Sequence, residues 1–161
     1  MNYEVFDRLV AGTLFQEAGE TEQHFMERVY TAFCGEEGAP CGLIGMLRPE
    51  FVACSAEHQT LTLGYAAEDW MLNPKRMLHG GMTATMLDNT LSLTARFYCR
   101  TNALSTVSLA VNYLRPVSAG EHVTVFAQVD KLGHRILFLS GCVYTQDGKK
   151  AATATGSFMV L

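Results

Sequence analysis

Gly80-Gly81-Met82-Thr83-Ala84-Thr85-Met86-Leu87-Asp88-Asn89-Thr90-Leu91-Ser92-Leu93-Thr94-Ala95-Arg96-Phe97-Tyr98 is the stretch whose reading decides the fold. From Met82 to Tyr98 there is no Gly or Pro, so the run can form a helix of about four turns. Its polar side chains are few and small, which predicts burial of most of the helix circumference. Such a helix needs a large apolar partner, and the downstream sequence supplies one. From residue 104 the period changes to two: Val107, Leu109, Val111 and Tyr113 alternate with Thr106, Ser108, Ala110 and Asn112. Arg115-Pro116 and Ala119-Gly120 make a turn, and Val123, Val125, Ala127 and Val129 mark the next strand. Two further strands, over 135–145 and 150–160, are joined by Gln146-Asp147-Gly148-Lys149, whose Asp-Gly suits a tight hairpin.

Upstream, Leu61, Leu63 and Tyr65 alternate with Thr60, Thr62 and Gly64 to predict a strand over 59–67, after a mixed stretch over 42–55. Asn73-Pro74 places a turn or loop within 69–76. The N-terminal segment reads as helical. Val5, Leu9, Leu14 and Phe15 form a loose stripe, and Phe25, Val29, Tyr30 and Phe33 recur at three- and four-residue spacing. Gly35, Gly38 and Pro40 supply stop signals. The expectation is an α+β architecture in which one antiparallel sheet wraps one long helix. A helical extension covers 1–38 and the main domain covers 39–161.

Composition narrows the function. The 161 residues are 48% hydrophobic and only 17% charged. A typical domain carries about 25% charged residues, so the shortage predicts surface hidden against another subunit. The net charge of −4 argues against a protein held on nucleic acid by phosphate neutralisation. No apolar run approaches the roughly 20 residues that span a bilayer, and the N-terminus lacks the pattern of a signal peptide. Cys34, Cys41, Cys54, Cys99 and Cys142 form no Cys-x-x-Cys pair, which suits reduced thiols in a cytoplasm. Neither they nor the histidines show ligand spacing, so no metal is expected. Residues 1–37 hold eight acids against two bases, whereas the remainder carries ten bases against eight acids. An acidic leader is thus joined to a weakly basic body.

The chemistry gathers around Asn73-Pro-Lys-Arg-Met-Leu-His79-Gly80-Gly81 and Asp88. Glycines at a helix start leave backbone N–H groups at its positive end and admit another molecule closely, an arrangement that stabilises an oxyanion. Asp88 lies about two turns along the same helix face. A second reading stays open on these residues alone: Gly80-Gly81 turns the chain, His79 is a satisfied buried histidine, and Asp88 caps a neighbouring group.

The run Leu78-His79-Gly80-Gly81-Met82-Thr83-Ala84-Thr85-Met86-Leu87-Asp88-Asn89 resembles the signature of hotdog-fold acyl-CoA thioesterases of the phenylacetate-degradation type, within the thioesterase superfamily that includes 4-hydroxybenzoyl-CoA thioesterases. The likeness extends through Ser108-Leu-Ala-Val-Asn-Tyr-Leu-Arg-Pro116, Gly120 and Gly133-His-Arg135 to the last strand. It implies a hotdog fold and hydrolysis of an acyl-CoA without a bound cofactor, the CoA ester being the substrate. It further implies that Gly80, with Gly81 beside it, polarises the thioester carbonyl, that Asn73 assists at that oxygen, and that Asp88 acts as general base or nucleophile. Thr106 takes the place of a water-positioning residue that is often serine, and His79 orients the loop. Burial of Asp88 in so apolar a helix is expected to raise its pKa.

Anionic CoA calls for cations at the site mouth, with Arg115 and Arg135 first, then Lys131, Lys75 and Arg76. Met82, Met86, Met77 and Trp70 are either an acyl pocket or plain core. The resemblance also implies a homodimer or dimer of dimers with sites at the subunit interface, and no nucleic-acid or membrane partner. The competing reading is a hotdog protein that binds acyl-CoA as a sensor or carrier without turnover. A Ser-His-Asp hydrolase lacks its Gly-x-Ser-x-Gly elbow here.

Overall fold

The computed structural model describes residues 7–8, 11, 15–34, 42–101 and 103–161, with backbone alone at 32–34. Val5, Leu9 and Leu14, the stop signals at Gly35, Gly38 and Pro40, and Cys41 lie outside the described residues, as do the side chains of Phe33 and Cys34.

Two helices come first, α1 (Glu22–Cys34) and α2 (Gly42–Leu47), followed by β1 (Glu50–Ser55) and β2 (Thr60–Ala66). A single 3-10 turn, Asp69–Met71, precedes the long helix α3 (Gly80–Cys99). Four strands complete the chain: β3 (Leu104–Tyr113), β4 (His122–Leu132), β5 (Ile136–Tyr144) and β6 (Lys150–Val160). All six strands form one antiparallel sheet in the order β1-β2-β4-β5-β6-β3. The mixed stretch over 42–55 therefore resolves into a short helix and a strand.

The sheet wraps α3. Val123, Val125 and Ala127 of β4, Leu137, Leu139 and Val143 of β5, and Leu61, Leu63 and Tyr65 of β2 are buried in one cluster with Met86, Leu87 and Leu91 of α3. Gly141 of β5 lets the helix lie this close. A Cβ there would meet the Phe126 carbonyl oxygen at 2.9 Å and the Leu91 and Leu87 methyls at 3.3 and 3.4 Å. The threonines of α3 cost little to bury because the helix satisfies them itself. Thr90 donates to the Met86 carbonyl at 2.9 Å and Thr94 to that of Thr90 at 2.7 Å.

Two details differ from the sequence reading. The glycine pair forms the first helical residues, with His79 as N-cap, so the helix begins two residues earlier than expected. In β3 the apolar set does not define a buried face: Val107 and Tyr113 are exposed and Leu109 and Val111 only part-buried. The strand sits at the sheet edge beside α3, where Leu104 is buried and Leu109 and Val111 pack against the core only in part.

The other edge, β1, is backed by α1. Thr21 caps that helix by accepting the His24 N–H at 3.2 Å. Met26, Val29 and Tyr30 join the common core, and the Tyr30 hydroxyl donates to the Pro49 carbonyl at 3.0 Å. The described part of the acidic leader thus packs on the sheet.

Candidate active site

The loop before α3 is closed on itself. Asn73 accepts the N–H groups of Lys75 and Met77 on its side-chain oxygen, at 2.9 and 3.3 Å. Its own N–H donates to the Met77 carbonyl at 2.8 Å. These bonds occupy the Asn73 carbonyl end and leave its amide NH₂ as the free end to meet a ligand. Arg76 takes a positive φ of 60° to complete the turn and pairs with Asp69 on the surface.

His79 then organises the helix start. Its Nδ1 accepts the Gly81 N–H at 2.9 Å, and its carbonyl accepts those of Met82 and Thr83 at 2.9 and 3.1 Å. Of the first four helix amides, only that of Gly80 has no acceptor among the described residues. The helix end therefore offers one backbone donor at the positive pole. Gly81, expected beside Gly80 as a donor, is instead committed to the cap. His79 is exposed and acts through this cap, in keeping with its expected loop-orienting part.

Asp88 projects from the face of α3 that the sheet leaves open, where Ala84, Thr85 and Ser92 are also only part-buried. The expected burial of this carboxylate is corrected: within one chain Asp88 is part-buried. Thr106 of β3 donates its hydroxyl to Asp88 Oδ1 at 3.0 Å, leaving Oδ2 open. The methyl of this threonine does not prevent the contact.

Gly80 and Asp88 are eight residues apart on a helix, about 12 Å along the axis at 1.5 Å per residue. A carboxylate at that distance cannot serve a carbonyl group held on the Gly80 N–H. One chain thus presents two half-sites.

The remaining candidates scatter. Arg115 donates to the Lys150 carbonyl at 2.8 Å, at the start of β6, whereas the Arg135 carbonyl accepts the N–H of Val160 at the end of β6. Ten strand residues, roughly 30 Å, separate these positions, so the two arginines do not share a site mouth within one chain. Lys131 pairs with Phe138 on the Arg135 end. Met86 is fully buried and belongs to the core; Met82 and Met77 are part-buried, Trp70 is exposed, and Lys75 is exposed on the turn.

The sequence reading gave no role to Tyr113. Its hydroxyl donates to the Gly80 carbonyl at 2.9 Å, and its ring lies 3.4 Å from where a Gly80 Cβ would stand. Its place in the Tyr-x-Arg-Pro strand end was the available signal. A buried trio was also missed. The Tyr65 hydroxyl contacts Thr90 Oγ1 at 2.9 Å and accepts from the Asn89 amide at 3.0 Å, which ties α3 to β2 behind Asp88.

The family model for the thioesterase superfamily matches residues 76–152, a span from the glycine turn into β6. An acyl-coenzyme A thioesterase, THEM4 of Bos taurus, is 41% identical over 86 residues, which cover 53% of this chain and 34% of that protein. The chain spans from about a third to about half the length of the curated relatives it matches (34–48%). Among solved structures, a phenylacetic acid degradation-related protein of Ralstonia eutropha superposes with a TM-score of 0.71 at 28% identity, covering 99% of this chain and all of the other. A Streptococcus mutans protein solved with acetyl CoA shares the fold, with a TM-score of 0.63 at 19% identity over 70% of this chain and 88% of its own. A six-stranded antiparallel sheet wrapped on one long helix gives the chain the hotdog fold, and residues 76–152 are similar to the thioesterase superfamily.

Proposed function

We propose that this protein is an acyl-CoA thioesterase whose active sites form between two copies of the chain. The observation that carries this reading is the pair of half-sites: one open N–H at Gly80, and one carboxylate at Asp88 held by Thr106, about two turns apart.

The way β3 links the two halves supports the dimer. Thr106, near the start of β3, touches Asp88, and Tyr113, at its end, touches Gly80. β3 is an edge strand with one side unpaired. Antiparallel pairing of β3 with its copy about a two-fold axis sets Thr106 of one chain opposite Tyr113 of the other. Asp88 of one copy then faces Gly80 of the second across the joined sheet. The open, small-residue face of α3 gives the two helices room to approach.

In that site the thioester carbonyl oxygen accepts the Gly80 N–H and the Asn73 amide, which lowers the energy of the developing oxyanion. Asp88 takes a proton from water as it attacks the carbonyl carbon, or attacks that carbon itself to give an anhydride that water then cleaves. Thr106, bound to Oδ1, aims Oδ2 at the reacting atom. The C–S bond breaks, the sulfur takes up a proton, and the products are a carboxylic acid and CoA thiol. The CoA-bound state of the Streptococcus mutans relative and the acyl-CoA thioesterase name of the bovine one support a CoA ester as substrate. No helix among the described residues is long and apolar enough to cross a membrane. Cys54, Cys99 and Cys142 are free thiols, which accords with a reducing cytoplasmic setting.

Thiol release over a panel of acyl-CoA esters, with wild type and Asp88→Asn, is the test. The expected result is turnover in the wild type that falls about 10²–10⁴-fold in the variant. Tight acyl-CoA binding by a wild type without turnover would overturn the hydrolase in favour of a carrier or sensor. Single-turnover hydrolysis in ¹⁸O-water locates the water attack: label in Asp88 marks an anhydride cleaved at the aspartyl carbonyl, and label in the product alone marks attack at the acyl carbon.

A further inference from the structure

We propose that Tyr113 is a positioning residue for the oxyanion donor, acting through the Gly80 carbonyl; this rests on the thioesterase reading above. The plane of the Gly80 N–H is set by the His79 carbonyl, which accepts the Met82 and Thr83 N–H groups, so what remains to be set is where this helix start lies against the sheet. Two consecutive glycines give it no side chain with which to pack there. The groups on either side are held. The His79 N–H donates to the Met71 carbonyl at 2.9 Å, and the Gly81 N–H is held on His79 Nδ1. The Gly80 carbonyl, between these two, is held by the Tyr113 hydroxyl at 2.9 Å.

Nothing within the chain obliges residue 80 to be glycine. It has no positive φ, and the nearest atoms a Cβ would meet are those of the Tyr113 phenol, from 3.4 Å. The space that glycine leaves therefore lies against the phenol ring, beside the one open amide. Tyr113 is 56% exposed in the single chain, so this wall faces outward from the protomer. By the β3 pairing proposed above it lies opposite Thr106 of the second copy. The hydroxyl ties the helix start that carries the donor to the end of β3, and the ring bounds the slot in which the thioester rests.

Tyr113→Phe removes the hydroxyl and keeps the ring, which makes it the decisive variant. The expected result is a fall in kcat of about tenfold with KM within about twofold. The dimer should elute unchanged, and the Gly80 carbonyl ¹³C resonance should move on loss of its hydroxyl donor. Tyr113→Leu should raise KM as well, since it removes the wall. An unchanged kcat in Tyr113→Phe, or an unmoved Gly80 carbonyl resonance, would overturn the proposal. A wild type inactive on every ester would instead sink the hydrolase reading, and the carbonyl shift, recorded without ester, still decides whether Tyr113 holds Gly80.

Discussion

The two edges of the sheet are built to opposite ends. β1 has six residues, a register shift between Phe51 and Ala53, and α1 packed against it, with the Tyr30 and Phe51 rings 5.7 Å apart. β3 has ten residues, and Val107, Tyr113 and Leu114 stand exposed along and just beyond it. Both strands carry a register shift, that of β3 between Thr106 and Ser108, so the difference lies in length and cover: short covered edges resist pairing, whereas long bare ones invite it. The contrast bears on the proposed dimer: β1 is covered within one chain, and β3 is the edge that the proposal gives to a second copy. It also explains the shortage of charge, since the unfinished edge and the open face of α3 are not built for water.

The largest effect should come from a charge on the bare edge. Val107→Lys places an ammonium where Val107 is 57% exposed in the single chain, so folding should be spared while pairing is not. Size-exclusion chromatography should show a monomer, and thiol release should fall by about a hundredfold or more. The matching change on the covered side, Val52→Lys, at a residue 43% exposed, should leave both unaltered. Equal outcomes at the two edges would break the comparison.

A second experiment sharpens it. Gly80→Pro removes the one open N–H at the first helical position, where proline is tolerated. His79 already has φ −65° and ψ 137°, the extended conformation that a residue before proline prefers. This variant should fold and lose about 10²–10³ in rate. Mixed and re-equilibrated with Asp88→Asn, it should recover about one quarter of wild-type activity, because half of the dimers are mixed and each keeps one intact site. Recovery would be absent if each site came from one chain.

Smaller effects concern the parts that hold each side. His79→Ala removes the cap on Gly81 and should cost about 1 kcal/mol, read as a fall in Tm of about 2–4 °C. His79→Asn, which can cap, should restore most of it. On the covered side, Glu20 receives two hydrogen bonds from Arg28, each 3.0 Å, next to α1. These, with the Glu17 backbone N–H, hold the Glu20 carboxyl down at about 2. A lowered folded pKa means that the stabilisation is whole above about pH 4.5 and fades as pH falls toward 2. Glu20→Gln should therefore lower Tm slightly at neutral pH, and the gap from wild type should narrow between about pH 5 and about pH 3.

Much of this was legible before any coordinates. The helix over 80–99 is written in a long run without Gly or Pro, and β4 in Val123, Val125, Ala127 and Val129, because both periods follow from local geometry. Asp88 and Thr106 were legible as a pair only through the family signature, since their positions differ by 18 along the chain. Tyr113 was quoted and passed over for the same reason: nothing in residues 108–116 tells that its hydroxyl reaches the helix start. Arg115 and Arg135 look alike as cations at strand ends, and only the antiparallel register places them at opposite ends of β6.

The sequence by itself determined the long helix, most of the strands, the core faces of β2 and β4 and the chemical types at the helix N-terminus, because those depend on neighbours two to four residues away. The tertiary structure decided the rest. It left a single open amide at Gly80, put the Asp88 carboxylate about two turns beyond reach of it, and set β3 at a bare edge. Those are relations between distant segments, fixed by packing and sheet order, and the proposed two-chain site rests on them.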